Sequence, residues 1–122
     1  AGRGGCVRVE AGARLEVHDS VFTNCAAVVG GGVVAEPGAT LTLVGSHVVR
    51  CVASFNGGGV AGGGATVLLR GGSSISLSAA YNGGGGLSMF DAVNFGGEAY
   101  LSEGASVVGC TGLSFGGGCI GP

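Results

Sequence analysis

A repeat of about 26 residues runs through most of this 122-residue chain, and repeats of that length mean stacked units. The segment Glu10-Ala11-Gly12-Ala13-Arg14-Leu15-Glu16-Val17 recurs as Glu36-Pro37-Gly38-Ala39-Thr40-Leu41-Thr42-Leu43, and again as Gly62-Gly63-Gly64-Ala65-Thr66-Val67-Leu68-Leu69. The next half-unit, Ser20-Val21-Phe22-Thr23-Asn24-Cys25, recurs as Ser46-His47-Val48-Val49-Arg50-Cys51. It returns one residue late as Ser73-Ser74-Ile75-Ser76-Leu77-Ser78, and a last time as Ala105-Ser106-Val107-Val108-Gly109-Cys110. Units close on glycine clusters: Gly31-Gly32-Val33, Gly58-Gly59-Val60, Gly85-Gly86-Leu87 and Gly117-Gly118-Cys119. The fourth unit is longer by about five residues, an insertion expected between Met89 and Gly97, since insertions in one repeat map to loops.

Inside each unit the apolar period is two. Leu15/Val17, Leu41/Leu43 and Val67/Leu69 alternate with Arg14/Glu16, Thr40/Thr42 and Thr66/Leu68, the pattern of strands with one buried face. Thirty residues are Gly and only two are Pro; the glycines cluster between alternating runs, which excludes collagen and marks turns. With 46% apolar and 10% charged residues, the chain also lacks the composition of disorder. A unit of two or three short strands cannot bury its own apolar face, whereas a stack can. The expected fold is therefore all-β: a parallel β-helix of about four to five coils, each rising about 4.8 Å, with residues 1–122 as a single domain. The chain opens at Ala1 without a basic and then apolar leader, so a fragment or processed part of a longer protein is expected.

Net charge is −2, and all five basic residues are Arg. No field draws the chain to nucleic acid, no lysine is present for Schiff-base or P-loop chemistry, and no apolar run reaches the roughly 18 residues of a membrane helix. Cofactors and metals are not expected. Cys25, Cys51 and Cys110 fall in one column, read either as small inward thiols or with a Cys25–Cys51 disulfide, since neighbouring coils bring Cα atoms about 5 Å apart. Phe55, Tyr81 and Phe115 precede glycine clusters and read as a corner-sealing aromatic stack or as a platform for sugar rings. Asn56 and Asn82 follow two of them as turn residues. These five residues form the expected ligand or partner face. Glu10 and Glu36 share a column, but both precede a turn and are expected to face water. His18 and His47 are expected in different columns, opposite Val44 and Val21, which leaves no triad. No catalytic residues are expected.

The run Ser20, Phe22, Asn24, Cys25 and Ala27, followed by Gly31-Gly32-Val33, resembles the repeats of right-handed β-helix surface proteins. The chlamydial polymorphic outer-membrane proteins, with Gly-Gly-Ala-Ile and Phe-x-x-Asn motifs, are one such group. Later copies depart from it: Val48 and Ile75 replace the Phe, and Cys51 and Ser78 follow without the Asn. The resemblance implies a right-handed, three-sided coil and a secreted or cell-surface setting. The expected function is a non-catalytic structural or interaction module serving adhesion or assembly, with a protein partner or self-association through the open coil ends. The alternatives are a carbohydrate-binding or polysaccharide-acting β-helix domain, which a glycan array separates, and an ice-binding protein using Thr40, Thr42 and Thr66, which a thermal hysteresis assay separates.

Overall fold

The computed structural model describes residues 5–81, 85–88, 98–112 and 120–121, with the backbone alone for residues 55–56, 111–112 and 120–121. The first coil contains β1 (Val7–Val9), β2 (Arg14–His18), β3 (Val21–Thr23) and β4 (Ala26–Val29). The second contains β5 (Val33–Ala35), β6 (Thr40–Val44), β7 (His47–Val49) and β8 (Val52–Asn56). The third contains β9 (Val60–Ala61), β10 (Thr66–Arg70), β11 (Ser74–Ser76) and β12 (Ala79–Ala80). The fourth contains β13 (Leu87–Ser88), β14 (Glu98–Leu101), β15 (Ser106–Val108) and β16 (Thr111–Gly112), and β17 (Ile120–Gly121) begins a fifth.

Equivalent strands of successive coils pair in parallel, giving four sheets: sheet I is β1-β5-β9-β13-β17, sheet II β2-β6-β10-β14, sheet III β3-β7-β11-β15 and sheet IV β4-β8-β12-β16. The all-β parallel β-helix expected from the repeat is what forms, and its register follows the sequence alignment. Leu15, Leu41, Val67 and Ala99 are level with one another, as are Val17, Leu43, Leu69 and Leu101. Phe22, Val48, Ile75 and Val107 form a third column. These columns and the Val33–Val60–Leu87 column of sheet I line one core, in which the residues of the two middle coils are fully buried. Side chains alternate across a strand, so one register puts every apolar column inside. The five surplus residues of the fourth unit fall in 89–97, because Ser88 is level with Ala61 and Glu98 with Thr66.

Two expectations need correction. A coil holds four strands, not two or three. Asn24, Arg50 and Leu77 adopt left-handed backbone (φ 57°, 54° and 51°), level with Gly109 at φ 64°, and this kink divides the second half-unit between sheets III and IV. Only the Gly and Asn members of that column favour the conformation, so Arg and Leu there conceal the corner in the sequence. The second correction is the cross-section: the motif resemblance implies three sides, whereas equivalent strands of successive coils form four sheets.

The glycine clusters do more than turn the chain. A Cβ on Gly58 would lie 2.2 Å from both the Ala79 and Gly85 carbonyl oxygens, and one on Gly31 2.3 Å from Gly58 O and 2.4 Å from Val52 O. At this corner the strand entering sheet I meets the backbone of sheet IV and of the next coil directly. A side chain has no room there, which is why glycine recurs at that level in successive coils.

Candidate functional site

Cys25, Cys51 and Cys110 do share a column, with Ser78 between the last two: Ala26, Val52, Ala79 and Thr111, the residues that follow them, are mutually paired. The column is linked along the stack, since the Cys51 N–H donates to Ser78 Oγ at 3.2 Å. The disulfide, however, joins Cys25 to Cys6, with Cα atoms 5.6 Å apart, and not to Cys51. Cys6 occupies the column of Gly32, Gly59 and Gly86, which faces the cysteine column across the interior. The same geometry recurs one coil on, where a Cβ at Gly32 would stand 3.2 Å from Cys51 Sγ. A residue facing Cys25 within its own coil thus takes the bond, leaving Cys51 a free, fully buried thiol. Its hydrogen donates to Val49 O at 3.4 Å, and burial pushes its pKa up.

Of the aromatic and amide face, Asn82 and Phe115 lie outside the described residues, and only the backbone of Phe55 and Asn56 is described, at the end of β8. Tyr81 follows Ala80, which pairs with Ala53. Tyr81 is therefore level with Ser54 and one step away from Phe55, so the two aromatics do not share a register. The side chain of Tyr81 is 65% exposed and seals no corner.

Glu10 faces water, but Glu36 does not: it is buried, with Arg8 Nε 3.9 Å from its Oε1, while Arg8 Nη2 stands 3.9 Å from Glu10 Oε2. His18 pairs with Val44 and Val21 with His47, as expected. His18 contacts the Glu16 carboxylate beside it on sheet II, and His47 Nδ1 meets Ser74 Oγ at 2.7 Å on sheet III. The outward columns of sheet II read Arg14, Thr40, Thr66, Glu98 and Glu16, Thr42, Leu68, Tyr100. The Tyr100 hydroxyl donates to Glu98 Oε2 at 2.7 Å, and that bond together with the carboxylate charge raises the phenol pKa. The threonines are thus bracketed by charged and bulky residues and form no regular face. Among the described residues no three His, Cys, Asp or Glu gather as metal ligands, and no helix is long and apolar enough to cross a membrane.

One surface feature went unread in the sequence. None of the eight strands of sheets III and IV contains Asp, Glu, Lys or Arg; the charges carried on strands are Arg8 on sheet I and Arg14, Glu16, Arg70 and Glu98 on sheet II. The outward side of sheets III and IV instead exposes Val21 (60%), Val108 (52%), Val52 (50%) and Val28, with Leu77 and, one coil below it, the exposed Arg50 at the corner between them. Scattered apolar residues are ordinary on a surface, but a side that combines them with no strand charge is the composition of a contact surface. Its signal was available as the absence of charge from every second half-unit except at Arg50, the corner position. No protein-family model, curated protein or solved structure matches the chain.

Proposed function

We propose that this chain is a non-catalytic interaction module of a secreted or cell-surface protein, a right-handed β-solenoid that engages a protein partner, or another copy of itself, through the side of sheets III and IV, whose strands carry no charge and whose corner carries Arg50. The observation that supports this is the segregation of strand charge onto sheets I and II, which leaves two adjoining sheets studded with exposed valines. The dispersal of the ionisable groups agrees with a role outside catalysis: His18, His47 and Glu36 each have a different local partner. The surface setting and the winding rest on the motif resemblance at residues 20–33. The disulfide fits an oxidising compartment, where such bonds persist. Among the described residues β2–β4 and β14–β16 are each paired on one side only, and these edges offer a second route to association through the coil ends.

The test is light scattering over a range of concentrations on the wild type and on Val52→Glu combined with Val108→Glu, two outward positions on separate coils. Concentration-dependent association that the double variant loses supports the flank. Association that the variant keeps assigns it to the coil ends. The carbohydrate reading is favoured by one observation, the exposed ring of Tyr81; a wild type that stays monomeric and binds a glycan array in a Tyr81→Ala-sensitive way replaces the protein-binding reading.

A further inference from the structure

Sheet III is a strip with a different corner on either side. Where sheet II turns into it, successive coils place Asp19, Gly45, Gly71-Gly72 and Glu103, with Asp19 N–H bonded to Val44 O, Gly45 N–H to Arg70 O and Gly72 N–H to Glu103 O. Where it turns into sheet IV, they place Asn24, Arg50, Leu77 and Gly109. The two corners are complements in size. In the second coil the first corner has glycine and the other arginine. In the third, the glycine pair, where an added Cβ at Gly72 meets nothing within 4 Å, stands across from a leucine that is 53% exposed. In the fourth, glutamate stands across from glycine. Charge divides in the same way, with both acids on the first corner and the base on the second.

Asp19 serves the level above its own. A Cβ on Gly45 would stand 2.8 Å from Asp19 Oδ1, so this carboxylate reaches over the second-coil turn, the level of Arg50. Positions 45 and 50 are separated by about 16 Å of strand, at roughly 3.3 Å per residue, too far for acid and base to pair within one chain. Both side chains are exposed, and among the described residues neither has an ion-pair partner.

We infer that sheet III is the contact face of a symmetric pair, its occupant a second copy of this chain related by a two-fold axis parallel to the stack. That rotation carries each corner onto the other. Arg50 of each copy then faces the Gly45 turn and the Asp19 carboxylate of the other, and Leu77 of each fills the space over Gly71-Gly72. Between the corners, the column of Val21, His47 and Ser74 meets the column of Thr23, Val49 and Ser76. An axis running across the stack would instead set acid against acid and base against base. Because the coils of both copies have the same rise, all levels come into register together. Two-fold pairs are the commonest closed form of self-association. The strip measures on the order of 20 Å by 20 Å over the four described coils, at about 3.3 Å per residue and about 4.8 Å per coil. That is about 400 Å² in projection on each copy, so the pair lies near the lower limit of about 1,000 Å² for a specific interface. In so small a contact, two ion pairs decide orientation and partner. This pairing rests on sheets III and IV being a contact side, and narrows that side to sheet III.

The experiment is sedimentation velocity up to about 1 mM on the wild type, Arg50→Glu, Asp19→Arg and an equimolar mixture of the two variants. Both substitutions stay within what the backbone already accepts, since Glu103 and Arg50 themselves stand at φ 54°. Each variant alone sets like charges against each other twice and should dimerise about 10-fold more weakly than the wild type. The mixture restores an acid opposite a base at both contacts, so its heterodimer should recover wild-type affinity to within about 3-fold. A folding defect in either variant cannot produce that recovery. Single variants as tight as the wild type, or a mixture no tighter than its components, overturn the pairing. If Val52→Glu with Val108→Glu, run alongside, still abolishes association in that case, the contact side itself stands. A wild type that stays monomeric throughout also overturns the pairing, and leaves the contact side to a different protein.

Discussion

Replacing Gly58 by Ala tests the claim that the glycine corner exists for backbone contact and not only for turning. Gly58 is not among the residues with positive φ, so alanine meets no dihedral penalty there. Its added Cβ would instead lie 2.2 Å from Ala79 O and from Gly85 O, against an ordinary carbon–oxygen approach of about 3.3 Å. Relief demands a shift of about 1 Å in two backbones that cannot rotate away as a side chain would. Both are held in ladders, by Ala79 N–H to Cys51 O at 2.9 Å and Gly59 N–H to Gly86 O at 3.0 Å. Overpacking costs about 1–3 kcal/mol, and weakening two such bonds about 1 kcal/mol each, for a total of about 3–5 kcal/mol. The reference substitution is Gly72→Ala, where φ is +77° and an added Cβ meets nothing within 4 Å; it should cost only the left-handed penalty of about 1–2 kcal/mol. For a chain of this size the difference is a gap in Tm of roughly 10 °C, measurable by circular dichroism melts of the two variants and the wild type. A Gly58→Ala protein that melts no lower than Gly72→Ala would refute the account of the corner.

Other substitutions follow from the same geometry. Leu41→Ala, at a fully buried core position, should cost about 2–5 kcal/mol in urea unfolding, and Leu15→Ala, one coil below and partly exposed, clearly less. Leu77→Gly should stabilise by about 1 kcal/mol, because the leucine is held at φ 51° with its side chain largely in water; a lower unfolding midpoint would contradict this. Cys51→Ser should be tolerated within about 1 kcal/mol, since Ser78 already fills that column one coil up and accepts the Cys51 N–H. Because burial raises the Cys51 pKa, the folded state keeps a proton that the unfolded state releases first. Its contribution is therefore complete below the unfolded thiol pKa of about 8.5 and is lost as pH rises through the folded value. Wild-type stability should fall more steeply in that alkaline range than that of Cys51→Ser, and parallel profiles would count against it.

The stack and its register were legible because inward residues repeat in kind: Leu15, Leu41 and Val67 announce one another across two coils. What stayed hidden lies where equivalent positions differ in kind. Arg50 and Leu77 turn the same corner as Asn24, but only the Asn advertises a left-handed turn. Cys6 stands in a column of glycines, so no alignment of cysteines could name it as the partner of Cys25. The extra residue at Gly71-Gly72 shifts every later position by one, enough to separate Tyr81 from Phe55. Glu36 reads as a surface turn residue like Glu10, yet it is buried beside Arg8, because its turn is bonded to a coil on each side, Glu36 N–H to Val9 O and Gly38 N–H to Gly64 O.

The contact between a glycine and the carbonyls above it also bears on how such a chain can change over generations. A substitution at Gly31 or Gly58 is answered by backbone in the next coil, so it cannot be absorbed one residue at a time. Copying a whole coil in tandem, by contrast, brings each glycine its own matching carbonyl and leaves every existing contact as it was. Chains of this kind should therefore vary readily in the number of coils and reluctantly at that corner, with length the quantity that drifts and cross-section the one that is inherited.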